Sequence, residues 1–170
     1  MIELPFDAEI ATADEMHELG VRLGRDLRKG DLLVLTGPLG AGKTTLTRGI
    51  GEGLGVRGPV TSPTFVLART HPSLVGGPPL VHVDAYRLSS AVELDDLDID
   101  FAGSVVIVEW GRGMLDGIAP SWLDIEIERP TGAGDAHAAN GISTDASAEV
   151  EDADEPRRIR ISRHQASRTA

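Results

Sequence analysis

A glycine-rich segment that follows a short apolar run constrains the fold of this chain more than any other feature. Residues 37–45 read GPLGAGKTT, one residue after the run LLVL at residues 32–35. Leu46, Ile50 and Leu54 then recur with the spacing of one helix face. A strand, a turn of the pattern G-x-x-x-x-G-K-T and a helix are together typical of a phosphate-binding loop. The sequence therefore predicts a nucleoside triphosphate site.

The chemistry of such a loop assigns roles to its residues. Glycine lets the backbone curl until successive N–H groups point into one concavity, and the following helix aims the positive end of its dipole at the same place. Lys43 is predicted to be a catalytic point charge beside the β- and γ-phosphates, and the Thr44 hydroxyl is placed to bind Mg²⁺. The predicted nucleotide-binding residues of the loop are Gly37, Pro38, Leu39, Gly40, Ala41, Gly42, Lys43, Thr44 and Thr45.

Length, cysteine content and charge exclude several classes of protein. A chain of 170 residues can form one domain with a sizeable core, and without cysteine it has neither disulfides nor thiolate metal sites. Residues 1–7 do not resemble a signal peptide, and no apolar run approaches the ~20 residues that span a bilayer. We therefore expect a cytoplasmic protein with no membrane partner. A net charge of −11 disfavours direct binding of nucleic acid, so any role in RNA biology should depend on a protein partner.

Apolar periodicity predicts an alternation of strands and helices. Thr12 and Glu15 form a capping box that begins a helix, which is expected to end at Gly30. A short helix with a loop is expected at residues 91–101, and strands at residues 2–6, 32–35, 65–68, 80–84, 105–108 and 123–128. The predicted fold class is α/β, a three-layer sandwich of the P-loop NTPase kind. It has a mixed sheet, helices on both faces and an antiparallel C-terminal strand pair.

Composition changes sharply after residue 130. Residues 131–156 hold seven acids, no base and almost no large apolar group, which predicts a disordered acidic insertion. Residues 157–162 alternate again and are expected to pair with residues 123–128, before a basic tail that is expected to fray. We therefore expect a nucleotide-hydrolase core at residues 1–130, an insertion at 131–156, and a strand and tail at 157–170 that belong to the same domain.

Two acids compete for the metal-associated position that a phosphate loop requires. Asp84 closes one predicted strand and Glu109 closes another, and functional groups of doubly wound sheets collect at the carboxyl ends of strands. The uninterrupted apolar run before Glu109 favours that residue as the metal ligand, directly or through water. Asp84 is then predicted to be a catalytic residue on the side of the attacking water. His82 could act as a general base, but a structural hydrogen bond is the preferred interpretation.

Four motifs, in this order along the chain, resemble the TsaE family, also called YjeE. They are GAGKTTLTRG at residues 40–49, TSPTF at 61–65, HVDAYRL at 82–88 and VEW at 108–110. The resemblance implies an ATP hydrolase that supports formation of threonylcarbamoyladenosine in tRNA. It implies ATP or ADP and Mg²⁺ as cofactors, a TsaB–TsaD heterodimer as partner, and contact with tRNA only through that complex. We expect hydrolysis to be slow alone and stimulated by the partner.

The same resemblance implies roles for particular residues. Glu109 would be the second metal-associated acid, Asp84 would lie near the γ-phosphate, and Trp110 would lie beside the nucleotide. Residues 62–65 would form a switch-like segment, although their composition alone favours an ordinary connecting loop.

Two positions depart from the family pattern, and two other functions stay open. Pro38 and Arg112 stand where members commonly carry acids, and the consequence of either replacement is left open. A small-molecule kinase would use the same loop but needs an arginine-bearing lid, which the scattered arginines do not indicate. A nucleotide-gated assembly factor with little turnover would also need the same loop. Phosphate release measured with and without the partner separates these possibilities.

Overall fold

The computed structural model describes residues 2–63, 67–130 and 155–166. Within these residues the strands form one seven-stranded sheet in the order β1-β7-β6-β2-β5-β4-β3. The elements are β1 (Phe6–Ile10), α1 (Ala13–Asp26), β2 (Leu32–Thr36), α2 (Lys43–Leu54), β3 (Ala68–His71), β4 (Leu80–Asp84), α3 (Ala91–Asp95), β5 (Val105–Glu109), β6 (Ser121–Glu128) and β7 (Arg157–Gln165). β6, β2, β5 and β4 are parallel neighbours, and β7 and β3 run antiparallel to the strands beside them. The expected mixed sheet is confirmed.

Each face of the sheet is covered by a separate apolar core, because alternate residues of a strand point to opposite faces. On one face, Leu33 and Leu35 of β2 pack with α1 and α2. On the other face, Leu32 and Val34 pack with Leu94 of α3 and with apolar residues of the loops. The predicted three-layer α/β arrangement with helices on both faces is therefore confirmed, and the glycine-rich loop lies at the carboxyl end of β2, before α2.

Local sequence signals predicted where α1 begins more accurately than where it ends. The Thr12 hydroxyl accepts a hydrogen bond from the Glu15 amide at 3.1 Å, which confirms the capping box. The predicted end of α1 at Gly30 was wrong, because the helix ends at Asp26 and Leu27 is extended. Leu27 belongs to the core, and the Gly30 amide donates to the Ser104 carbonyl at 2.8 Å. The packing of Leu27 into the core therefore ends the helix one turn before Gly30, the end that the sequence predicted.

Two strand predictions were displaced along the chain. β1 occupies Phe6–Ile10 rather than residues 2–6, because β1 pairs with β7 in a register that joins Phe6 to Ile161. β3 occupies Ala68–His71 rather than residues 65–68, and residues 64–66 lie outside the described part of the chain. The edge strand β3 exposes Arg69 and Thr70, so it lacks the apolar run on which the prediction depended.

The C-terminal strand lies inside the sheet rather than at its edge. β7 pairs with β6 over eight residues, from Ser121 opposite Gln165 to Glu128 opposite Arg158, which confirms the expected antiparallel pair. β6 also pairs in parallel with β2, a contact that its alternating pattern did not indicate. The predictions for residues 131–154 of the insertion and for residues 167–170 of the tail lie outside the described residues. Within the residues that are described, no helix has the length and apolar character needed to cross a membrane.

Candidate functional site

The glycine-rich segment forms the turn between β2 and α2. Gly40 and Gly42 adopt φ angles of +72° and +102°, which only glycine adopts without strain. The Ala41 amide donates to the Pro38 carbonyl at 3.1 Å and closes the turn, and α2 begins at Lys43. Pro38, Leu39 and Gly40 are exposed, so the outer part of the loop is accessible. The backbone thus has the tight curl that a phosphate-binding loop requires.

Lys43 lies inside the loop with only 7% of its surface exposed. Its ammonium group donates to the carbonyl oxygens of Gly37 at 2.8 Å and Pro38 at 3.0 Å. Burial lowers the pKa of Lys43 below its usual 10.5, and the carboxylates of Glu109 and Asp84 oppose that shift. Because both acids act electrostatically on this one amine, the structure brings the three predicted charged residues into one site.

The two acids are cross-strand neighbours at the carboxyl ends of β4 and β5. Asp84 lies opposite Glu109 in the parallel register of these strands. Both point to the face that carries α2, because Leu80 of β4 and Ile107 of β5 belong to the core on that face. Asp84 is half-buried, and its Oδ1 accepts from the Tyr86 amide at 3.0 Å.

Glu109 is more enclosed than Asp84 and has a buried partner. It is 5% exposed, and its Oε1 lies 2.8 Å from Nε2 of His82, a fully buried side chain. A carboxylate at Glu109 requires the proton on Nε2, because that oxygen can only accept. The hydrogen bond supports the structural interpretation of His82 and places a positioning group behind Glu109.

Trp110 covers the site from the end of β5. Its φ of +62° is uncommon for a residue with a side chain, and its amide donates to the Leu35 carbonyl at 3.1 Å. The ring lies 4.7 Å from the Lys43 ammonium and meets the exposed Tyr86 ring edge to face at 5.7 Å. Trp110 therefore lies against Lys43, and its expected contact with a nucleotide stays a prediction.

The two residues just before the switch-like segment are held by two arginines. Nε of Arg48 on α2 donates to the Val60 carbonyl at 3.2 Å, and Nη1 of Arg69 on β3 donates to the Thr61 hydroxyl at 2.7 Å. Thr64 and Phe65, the end of this predicted segment, lie outside the described residues.

One residue of the site was missed by the sequence analysis. Arg157, the first residue of β7, is 6% exposed and donates to the carbonyl oxygens of Gly40 and Ala41. Its side chain meets backbone atoms 116 and 117 residues earlier in the chain, so no local pattern indicates the contact. Arg112, which departs from the family pattern, lies 3.5 Å from Asp124 and 3.6 Å from Glu126 on β6.

The site combines anion-binding and cation-binding groups. The loop, the N-terminus of α2 and Lys43 are suited to phosphate oxygens, and Thr44 with the two acids offers oxygen ligands to a hard cation such as Mg²⁺. Among the described residues, no group of three or more His, Cys, Asp or Glu is arranged to hold a metal ion alone. The set fits an ion that takes some of its ligands from a bound phosphate and water.

Comparison with known proteins gives one family. The family model described as "Threonylcarbamoyl adenosine biosynthesis protein TsaE" matches residues 10–136. The tRNA threonylcarbamoyladenosine biosynthesis protein TsaE of Streptomyces coelicolor is 62% identical over 120 residues, which cover 69% of this chain and 81% of that protein. The protein of the same name from Mycobacterium tuberculosis is 50% identical over 131 residues, covering 72% of this chain and 78% of that one. The crystal structure of YdiB from Bacillus subtilis superposes with a TM-score of 0.62 at 27% identity, over 95% of this chain and 88% of that one.

Proposed function

This chain belongs to the TsaE family of tRNA threonylcarbamoyladenosine biosynthesis proteins, and from that premise we propose that it is a Mg²⁺-dependent ATP hydrolase of the cytoplasm. We further propose that it acts in complex with a TsaB–TsaD heterodimer and reaches tRNA only through that complex. The observation that carries the proposal is the cluster at the loop, where buried Lys43 lies within electrostatic reach of Asp84 and Glu109.

The loop residues would bind the triphosphate through backbone and charge. The N–H groups at the start of α2 would donate to phosphate oxygens, supported by the helix dipole. The Lys43 ammonium, which holds the Gly37 and Pro38 carbonyls, would also attract the β- and γ-phosphates. Trp110 would shield that charge from water on one side, because its ring lies against the amine. The low local exposure strengthens each of these attractions.

The two acids would have different roles, one in metal binding and the other in orienting water. Thr44 and Glu109 would hold Mg²⁺, directly or through water, with Glu109 oriented by the buried His82. When bound, the ion would neutralise charge that develops on the transferred phosphoryl group. Asp84 is the less enclosed acid, and its carboxylate would orient the attacking water.

The binding site is tested with Lys43→Ala. We expect this variant to lose tight ATP binding in calorimetry. The control is Arg112→Ala, because the Arg112 guanidinium lies beside Asp124 and Glu126 of β6, and this variant should keep the affinity of the unchanged protein. Near-unchanged affinity of Lys43→Ala would refute the phosphate-loop assignment.

The acids are tested separately. Glu109→Ala should weaken the Mg²⁺ dependence of nucleotide binding. Asp84→Ala should keep nucleotide affinity within about tenfold but slow hydrolysis by about 10²-fold or more. If the two phenotypes are exchanged, Asp84 is the metal ligand and the assigned roles are wrong.

The partner is tested by steady-state phosphate release from the chain alone, with the TsaB–TsaD heterodimer, and with tRNA alone. We expect slow release alone and stimulation by the heterodimer but not by tRNA, because a group supplied in trans can accelerate phosphoryl transfer by about 10³–10⁵. Full activity without the heterodimer would point to a self-contained kinase or hydrolase. ATP binding with no stimulated release would point to a nucleotide-gated assembly factor.

A further inference from the structure

The guanidinium of Arg157 joins the start of β7 to the phosphate-binding loop. Its Nη2 donates to the Gly40 carbonyl at 3.0 Å and its Nε to the Ala41 carbonyl at 3.1 Å. Its Nη1 donates to the Glu155 carbonyl at 3.0 Å. The fork of an arginine is rigid and planar, so these bonds fix the directions of two consecutive peptide carbonyls at once.

Those carbonyl directions determine where the loop amides point. In a planar trans peptide the N–H of the next residue points opposite to the carbonyl, so the Gly40 carbonyl sets the Ala41 N–H and the Ala41 carbonyl sets the Gly42 N–H. The Ala41 N–H closes the turn onto the Pro38 carbonyl. The Gly42 N–H is directed away from Arg157, at the residue that precedes α2. Arg157 therefore holds the curl from the side opposite to the amides.

A purely structural role for this arginine explains the contacts less well. β7 is anchored in the core by Ile159 and Ile161, both fully buried, and by its pairing with β6 and β1. The loop carbonyls of Gly40 and Ala41 are not needed for that pairing, because they lie outside the sheet. The contact concerns the loop rather than the strand.

Glu155 provides a negative charge beside Arg157. Nη1 of Arg157 lies 3.7 Å from Oε2 of Glu155, and the same oxygen accepts from Nη2 of Arg129 at 3.0 Å. Arg129 follows β6 and lies beside the loop, since a Cβ on Gly40 would be 3.5 Å from its Nη1. The carboxylate of Glu155 thus holds two arginines against the outer curve of the loop.

We propose that Arg157 is a positioning residue for nucleotide binding, which orients the amides of the phosphate-binding loop through the carbonyls of Gly40 and Ala41. The inference rests on the proposed function, because the loop is taken to bind the phosphates of ATP. It adds a residue from outside the matched range of residues 10–136 to that site.

The test compares Arg157→Met and Arg157→Lys with the matched control Arg158→Met in the full chain. Arg158 is the next residue of β7, so its side chain points to the opposite face of the sheet. It is 58% exposed at its side chain and pairs with Asp7 on β1. We expect Arg157→Met to bind ATP about tenfold to a hundredfold more weakly, because two charge-assisted bonds that orient the loop are lost. Arg157→Lys should recover part of the affinity, since an ammonium can reach one carbonyl but cannot form the fork. Arg158→Met should bind as the unchanged protein does.

Amide NMR shifts without nucleotide provide a second measurement. In Arg157→Met the Ala41 and Gly42 amide resonances should move while those of the β-strands stay in place. Equal ATP affinity of Arg157→Met and Arg158→Met, or unmoved loop amides, would overturn the inference. If Arg157→Met does not fold, Arg157→Lys decides, because affinity equal to the control would overturn the inference in the same way. Lys43→Ala separates the two proposals: unchanged affinity in that variant refutes the nucleotide site itself, whereas its loss beside an unaffected Arg157→Met refutes only the role of Arg157.

Discussion

The buried hydrogen bond between His82 and Glu109 gives the sharpest prediction that needs no nucleotide. Nε2 of His82 lies 2.8 Å from Oε1 of Glu109, and the two side chains are 0% and 6% exposed. Nδ1 of His82 is buried and has no hydrogen-bond partner among the described residues. Each partner therefore depends on the other for the polar contact that replaces water. The perturbation is a double-mutant cycle of His82→Leu, Glu109→Leu and the pair.

The magnitude follows from what each single change leaves behind. His82→Leu leaves a buried carboxylate without its donor, which should cost about 2–3 kcal/mol of unfolding free energy. Glu109→Leu leaves a buried imidazole without a partner and removes an acid that favours charged Lys43, so it should also be destabilising, by about 1–3 kcal/mol. The double variant places two apolar side chains together and removes both unpaired groups. It should be less destabilised than the sum of the single variants by about 2 kcal/mol.

Urea unfolding followed by circular dichroism measures these free energies in the protein without nucleotide. The midpoints should shift while the slopes stay equal, which shows that stability and not compactness has changed. The reasoning would be refuted if the two single effects added within about 0.5 kcal/mol, because residues that do not share an interaction behave that way.

Three further predictions follow from packing and charge. Gly49→Ala should lower the unfolding free energy by about 2 kcal/mol or more in urea titrations, because a Cβ there would overlap the carbonyl oxygen of His17 where α1 and α2 meet. Gly77→Ala should have little effect, because a Cβ there would make only ordinary van der Waals contacts, at 3.6 Å to the Ser73 hydroxyl and 3.9 Å to the Leu54 carbonyl. Burial lowers the pKa of His71 below its usual 6.5, so the unfolded chain takes up the proton first and stability should fall as the pH is lowered through 6.5. His71→Gln should remove that part of the fall in thermal unfolding curves, and an unchanged pH profile would contradict the assignment. Because the pKa of Lys43 is also lowered, ATP affinity measured by calorimetry should decrease as the pH is raised, and the decrease should begin before pH 10.5 is reached. It should amount to up to about tenfold per pH unit, as the amine loses its charge. The affinity of Lys43→Arg should not change over that pH range.

The parts of the fold that depend on neighbouring residues were predictable from the sequence. The capping box of α1 and the turn from β2 into α2 are local patterns, and both are present where the sequence places them. The end of α1 and the register of β1 are set by distant partners, Ser104 and β7, that no local pattern reveals. The sequence therefore indicates which elements exist more reliably than where they end.

For the site, too, residues within a local pattern were predictable, whereas contacts between distant residues were not. Lys43 and Thr44 are contained in one motif, and Asp84 and Glu109 were found because acids at the ends of apolar runs meet at one edge of a parallel sheet. The bond from His82 to Glu109 needs the register of β4 and β5, which places His82 opposite Ile107, two residue pairs before the two acids. The sequence supplied both residues but not their contact.

The contacts of Arg157 could not be predicted from the sequence, because its hydrogen-bond acceptors are backbone carbonyl groups, which every residue carries. Counting charges places it with the basic residues of the C-terminal segment, whereas its burial and hydrogen bonds show that it packs against the loop that begins at residue 37. Residues 1–130 are then an incomplete unit, since β7 lies between β1 and β6 and supplies Ile159 and Ile161 to the core beneath α1. A chain ending at residue 130 would leave β1 without its partner strand and the loop without its guanidinium. The strand that completes the sheet thus also carries the side chain that bonds to the glycine-rich loop, so we expect the stability of β7 and the geometry of that loop to be coupled.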